Sequence, residues 1–316
     1  MFVPFWSPMA LLRSTFISLS QNAHLRRFAE SSTLGRRMSS RFVAGFRIED
    51  AMSAANALGA QGLAVTLDSL GENVATPDQA RQAAQVYHWL LDAIASSRLD
   101  ANVSLKLTQM GMDLGADVAE EIVRGLVQHA ASSGSFVRVD MEGTPYTQAT
   151  VDLVRRLHAR PEFRGHVGIV IQAYLRRSAG DIASLLSDGI RIRLCKGAYQ
   201  EPPDLAFPDK ADVDRNFVTL MQMLLPSGVF HGIATHDPAM IEATKQFARE
   251  RKIDPASFEF QMLYGIRRDL QRSLVAEGYR VRVYVPFGDQ WYPYFMRRLA
   301  ERPANVLFLA KNFFRK

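Results

Sequence analysis

Residues 294–301, YFMRRLAE, set Arg297 beside Arg298, with Tyr294 one turn before and Glu301 one turn after. Neighbouring helix positions point about 100° apart, so a helix aimed at a cavity can bring two adjacent guanidinium groups onto one anion. Guanidinium forks match the two oxygens of a carboxylate, and a pair of forks would specify it. The same spacing fits a solvated helix whose arginines pair with Glu301. On spacing alone both readings stay open.

A second stretch, RLCKGAYQEP (193–202), ends an apolar run in Lys196 and Gly197. A cation next to a backbone freed by glycine can approach a phosphate. Lys106, closing NVSLKL, is either a Schiff-base nucleophile or a fixed charge beside an electron-rich ring. His236 lies in ATHDP; a lone histidine is more often hydrogen-bonded structure than catalyst. The other six (His24, His88, His129, His158, His166, His231) are scattered, and none has the spacing of H-E-x-x-H. No metal site is expected.

These residues need elements to hold them. Eight β-rich runs recur, at 62–68, 102–107, 136–141, 167–174, 191–197, 232–237, 258–263 and 280–288, with amphipathic helical segments between them. Strands alternating with helices imply right-handed βαβ units and a parallel sheet. Eight units predict an α/β fold, a (β/α)8 TIM-type barrel with N-terminal helices. An open doubly wound sheet is the alternative, but the G-x-G-x-x-G run of its nucleotide-binding forms is missing. The expected division is an N-terminal helical segment over 1–45 and a barrel over 46–316. Segments 11–19 and 25–38 have helical apolar spacing, although the acid-free first 29 residues also have the composition of a mitochondrial presequence.

Barrel chemistry sits at the C-terminal ends of the strands. There the sequence places Asp68, Glu72, Lys106, Asp140, Glu142, Gln172, Arg193, Lys196, Thr235, His236, Asp237, Gln261, Tyr264 and Tyr284. Barrel interiors are expected to be branched aliphatics, so charges converging on one mouth are expected to face a ligand. The other reading is that they pair with one another around a solvated rim.

Composition narrows the classes. With 47% hydrophobic and 22% charged residues among 316, the chain is neither disordered nor collagenous. Cys195 is the single cysteine, which excludes an internal disulfide and a cysteine-based zinc cluster. A reducing compartment fits. The net charge is +6, but much of the excess lies in LRRFAE and GRRMSSR near the N-terminus, so nucleic acid is not an expected partner. No run reaches the roughly 18 apolar residues of a membrane span, and any membrane contact is expected to be peripheral.

Taken together, VTLDSLGENV, SLKLTQMG, VRVDME, IVIQAYLRRS, RIRLCKGAYQEP, ATHDP, FEFQMLYG, RVYVPFG and YFMRRLAERPANV resemble the flavin-dependent proline dehydrogenases. They cover the chain from about residue 41 to its end, in family order. The resemblance implies a barrel that holds FAD non-covalently at the strand ends. It implies oxidation of L-proline to Δ1-pyrroline-5-carboxylate by hydride transfer to flavin N5, the first step of proline catabolism to glutamate. Electrons would pass to a membrane quinone, with the protein cytoplasmic and peripheral to a bacterial inner membrane, or alternatively at the mitochondrial inner membrane.

Carried over by motif, Arg297 and Arg298 become the clamp on proline's carboxylate. Tyr294 and Tyr284 would pack on its ring, with Leu263, Ala198 and Tyr199 as the apolar wall. Lys106 and Asp140 would line the polar side near the amine, and Glu72 would pair with the first clamp arginine as a gate. Gln172 and Arg193 resemble contacts to the isoalloxazine ring. Lys196, Gly197, Thr235 and His236, with Ala198 counted among them, resemble holders of the rest of the cofactor, and Glu301 a contact of its adenosine ribose.

One departure is the short link GDQWYPYFMRR with Pro293, unlike the longer helix start of bifunctional relatives. With no further catalytic domain expected after Lys316, the product is expected to be released or passed to a separate pyrroline-5-carboxylate dehydrogenase. Two rivals remain at this stage. One is a cofactor-free Schiff-base lyase using Lys106 or Lys196; the other is a basic protein that binds membranes or nucleic acid.

Overall fold

The computed structural model describes residue 32, residues 39–199 and residues 201–301, with side chains of the last helix described as far as Met296. The amphipathic segments expected at 11–19 and 25–38 lie outside the described residues, Ser32 apart.

Eight strands close a parallel barrel in sequence order: β1 (Ala64–Ser69), β2 (Ala101–Leu105), β3 (Val137–Val139), β4 (Val167–Gln172), β5 (Arg191–Cys195), β6 (His231–Ala234), β7 (Phe258–Leu263) and β8 (Arg280–Phe287). Helices α1 (Ile48–Gly59), α2 (Pro77–Ala95), α3 (Ala116–Ser132), α4 (Thr144–His158), α5 (Ser178–Ser187), α6 (Lys210–Leu224), α7 (Pro238–Glu250) and α8 (Arg268–Ala276) lie around it. The last helix, α9 (Trp291–Glu301), follows β8. The (β/α)8 expectation holds. Several strands end one to three residues before their sequence patterns do, so Lys106, Asp140, Lys196 and Thr235 sit just past the strand ends, on the loops.

Local signals explain the elements. Helix α2 begins at Thr76, whose hydroxyl accepts from Gln79 N, and Pro77 occupies the first helical turn where no N–H is needed. Its buried Ala80, Ala84, Tyr87, Leu91 and Ile94 form one helical stripe toward the sheet. On the strands, Val65, Leu67, Val103, Leu105, Val137, Val139, Ile169, Ile171, Ile192 and Leu194 share one apolar cluster with the helices. These residues occupy alternate strand positions, and therefore one face.

The opposite face departs from expectation. Ladder register aligns Thr66 with Asn102 and Tyr284, Ser104 with Arg138, Arg138 with Gly168, Arg193 with Gly232, and Gln261 with Arg282. The barrel interior is thus lined largely by polar and charged residues, and the expected aliphatic filling is replaced by a hydrogen-bonded network. The physical reason is that the strands' apolar burial is supplied by the surrounding helices, while each interior charge finds partners across the barrel.

Helix α9 is seated by a second apolar cluster: Phe42, Val43, Leu70, Ile266, Trp291, Tyr294 and Phe295. Residues 39–46 run alongside, with Ala44 N donating to Pro286 O (2.9 Å) and Gly288 N to Gly45 O (3.0 Å). At Gly265, φ is +73° and a Cβ would lie 1.7 Å from Arg41 O, so only glycine admits this approach. Loops following β1, β7 and β8 are thereby tied to the helix that carries Arg297 and Arg298.

Candidate active site

At the C-terminal mouth, Lys106 Nζ stands 3.6 Å from Asp68 Oδ2, and both side chains are buried. Burial alone would pull the lysine's pKa down; Asp68, Asp140 and Glu72 outweigh it and hold Lys106 above its ordinary value. Lys106 thus stands as a paired charge beside Asp68. Burial raises Asp68, with Lys106 pulling in the opposite sense. The other oxygen of Asp68 accepts from Tyr87 Oη (3.1 Å), a residue on α2 that also lies 3.1 Å from Gln109 Oε1.

Across the mouth, Arg193 Nη1 donates to Asp140 Oδ1 (2.9 Å) and to Ser104 Oγ (3.2 Å), while Ser104 Oγ itself donates to the same Asp140 oxygen (2.6 Å). Tyr284 Oη donates to Asp140 Oδ2 (3.0 Å) and lies against Asp68 as well. Its ring packs under the Arg193 guanidinium, 5.3 Å from centroid to Cζ. Burial, then the two carboxylates, push the Tyr284 phenol up, so it stays protonated. The residues Lys106, Asp140, Arg193 and Tyr284, singled out separately in sequence, form one connected group.

A second patch lies beside it. Buried Glu142 accepts from Thr108 N (3.0 Å) and Thr108 Oγ1 (2.7 Å), and burial raises its pKa. Gln172 Nε2 is spent on Glu142 O (2.9 Å), which fixes the amide at the end of β4. Lys196 pairs with Asp214 and, at 2.7 Å, with Asp237. Thr235 Oγ1 accepts from Asp237 N (3.0 Å), and His236 Nε2 accepts from Leu263 N (2.9 Å), placing the ring proton on Nδ1. Gly197 has φ +109°, and a Cβ there would lie 2.2 Å from a carbon of the Tyr174 ring. The backbone at Gly197 consequently passes close over the Tyr174 ring.

Leu263, Ala198 and Tyr199 are partly buried near these strand ends, and Glu72 is close enough to act electrostatically on Lys106 and Glu142. Tyr294 is buried in the cluster under α9. The helix backbone continues through Arg297, Arg298 and Glu301, whose side chains lie outside the described residues. Sequence inspection missed Ser104, Tyr87, Thr108 and Glu259. Ser104 had a signal, since it precedes Lys106 by two residues and so shares its strand face. Tyr87 had none, being one apolar position on a helix 19 residues from its partner Asp68.

Comparison with known proteins bears on this geometry. A family profile described as proline dehydrogenase matches residues 51–311. Proline dehydrogenase 1 of Bacillus subtilis (strain 168) is 43% identical over 308 residues, covering 97% of this chain and 100% of that one. Proline dehydrogenase of Deinococcus radiodurans is 40% identical over 305 residues, covering 95% and 97%. Among solved structures, proline utilization A from Bdellovibrio bacteriovorus, inactivated by N-propargylglycine, superposes with a TM-score of 0.81 at 25% identity. The match covers 96% of this chain and 38% of that longer one.

Proposed function

This chain belongs to the proline dehydrogenase family, and we propose that its barrel mouth oxidises L-proline to Δ1-pyrroline-5-carboxylate with FAD as the bound oxidant. It is an oxidoreductase, and the reaction is the first step of proline catabolism. The observation that carries the reading is the connected group Lys106, Asp68, Asp140, Arg193 and Tyr284, drawn from five different strands or strand ends to one mouth.

The residues present suit a flavin. Gly197 lets the backbone pass close over the Tyr174 ring, and Lys196, Arg193 and the amide of Gln172 stand on or just past the ends of β4 and β5. Such a set of donors matches an anionic phosphate chain and an electron-rich ring. In this reading Arg193 and Gln172 hold the ring, and Lys196, Gly197, Ala198, Thr235, His236 and Glu301 hold the remainder. When bound, the flavin supplies the two-electron chemistry by accepting hydride from C5 of proline.

What the protein itself contributes is position. Arg297 and Arg298 hold the substrate carboxylate, and Tyr284, Tyr294, Leu263 and Tyr199 close on its ring. Lys106 and Asp140, each already paired, keep a fixed polar wall toward the amine. Holding reacting atoms in place can lower a barrier by several kcal/mol. Glu72 is the gate that closes over bound substrate. Onward passage of electrons to a membrane quinone, by peripheral contact at a bacterial inner membrane or alternatively the mitochondrial one, belongs to the same proposal. So does release of the product to a separate pyrroline-5-carboxylate dehydrogenase. Among the described residues no helix is long and apolar enough to cross a membrane.

The pairing of Lys106 and Lys196 with carboxylates favours the fixed-charge reading over the Schiff-base rival. An absorption spectrum of the purified protein, before and after anaerobic L-proline, tests the proposal. The expected result is a flavin band that bleaches. A colourless folded protein would overturn the cofactor, and an unbleached band would overturn the substrate. In Arg297→Met and Arg298→Met the proline KM rises by at least about 30-fold with flavin retained; an unchanged KM in both would remove the clamp.

A further inference from the structure

Two side chains beneath the site take no part in the chemistry above. Glu259 and Gln261 stand two residues apart on the inward face of β7, and both are buried. Glu259 Oε1 accepts from Arg282 Nε (2.8 Å) and from Gln261 Nε2 (2.6 Å). Gln261 Oε1 in turn accepts from Arg193 Nε, and Arg193 Nη1 reaches Asp140. At the foot of this chain Arg282 is anchored by Val65 O (2.8 Å) and Asp100 Oδ1 (2.8 Å). The wall of the barrel is cut away for the Gln261 amide: a Cβ on Gly232, in the neighbouring strand, would lie 2.4 Å from its Nε2.

The chain has a direction, set by elementary donor and acceptor rules. An ionised carboxylate only accepts and a guanidinium only donates, whereas an amide has one end of each kind. Glu259 therefore obliges Gln261 to turn its NH2 downward, and this leaves the amide oxygen upward for Arg193. Without the carboxylate only Arg193 itself favours that orientation, and an amide turned the other way sets NH2 against the guanidinium, donor facing donor. In a buried network an unmatched donor is costly.

We propose that Glu259, acting through Gln261, is a positioning residue that fixes the direction of the Arg193 guanidinium at the floor of the mouth. The consequence for catalysis rests on the reading of Arg193 as a flavin contact; the positioning itself does not.

Glu259→Gln tests it, because it removes the charge at constant shape and leaves Arg282 its contacts with Asp100 and Val65. In protein labelled with ¹⁵N-arginine and freed of cofactor, solvent exchange of the Arg193 Nε–H is expected to rise by at least about tenfold. In the loaded protein kcat is expected to fall about tenfold with little change in KM, and the flavin midpoint potential to shift. The effect should vanish in an Arg193→Lys background, because a residue acting through Arg193 has nothing left to act on. Should Glu259→Gln not fold, Gln261→Met keeps the volume, removes the acceptor and carries the same expectations. Exchange, kcat and potential all at wild-type values in the folded variant, or additive effects with Arg193→Lys, would overturn the assignment. Absence of flavin from the wild-type protein would defeat the cofactor reading alone, and the exchange measurement would still decide this one.

Discussion

The two ends of the barrel interior are both charged, yet they are wired differently. At the N-terminal end the cations lean on backbone as well as on carboxylates: Arg138 donates to Arg191 O (2.7 Å) and Ile169 O (3.2 Å), and Arg282 to Val65 O beside Glu259 and Asp100. The backbone partners belong to the strands and cannot rotate away. At the C-terminal end the bonds run from side chain to side chain, among Lys106, Asp68, Tyr284, Asp140, Ser104 and Arg193. Those bonds hold side-chain atoms at the mouth, where a ligand can meet them. The lower end is built as a scaffold with charges, and the upper end carries the candidate site.

That contrast can be broken at graded cost. The largest effect is expected from Arg282→Met, which takes the arginine from buried Glu259 and leaves Asp100 with Arg280 alone. Removing one partner of a buried pair costs about 3–5 kcal/mol, read as a drop in the urea unfolding midpoint. A loss below about 1 kcal/mol would mean that the lower end is not a scaffold.

Next comes acid. His231, at the start of β6, accepts from Ile192 N (3.1 Å) on Nδ1, and its pKa is lowered to about 3 from 6.5 by burial, with Arg138 adding repulsion. Above pH 6.5 neither folded nor unfolded chain carries that proton, and stability is complete. Below it the unfolded chain binds the proton first, so stability falls as pH drops toward the folded value. Between pH 7 and pH 5 the loss from this residue is about 2 kcal/mol. Equilibrium unfolding across that range checks it: His231→Asn should flatten the dependence, and an equally steep curve in the variant would assign the loss elsewhere. The smallest effect is expected from Arg280→Ala. Its partner Asp100 is also exposed (45% and 53%), and such pairs contribute less than about 1 kcal/mol.

Much of this was legible in sequence. Eight β-rich runs with helical intervals specified the barrel, and Lys106, Asp140, Arg193 and Tyr284 were visible as charges or hydroxyls at strand ends. The interior was not legible, because alternation shows that two faces differ without saying which faces inward. In FEFQML the Phe258, Phe260 and Met262 side chains look like barrel filling, yet they face the helices, and Glu259 and Gln261 turn inward. The prior for aliphatic interiors pointed the wrong way. Tyr87 and Ser104 escaped notice since their partners, Asp68 and Asp140, come from distant segments, and only closure of the barrel brings them together.

The most direct test of the account is the rate at which L-proline reduces the bound flavin in Lys106→Met, measured anaerobically in a single turnover beside the variant's urea midpoint. Asp68 keeps its hydrogen bond from Tyr87 Oη (3.1 Å) when the lysine is removed. The expected rate is at least about 100-fold below wild type, in a variant whose stability is lower by no more than about 3–5 kcal/mol. A wild-type rate would contradict the placement of the site at this end of the barrel.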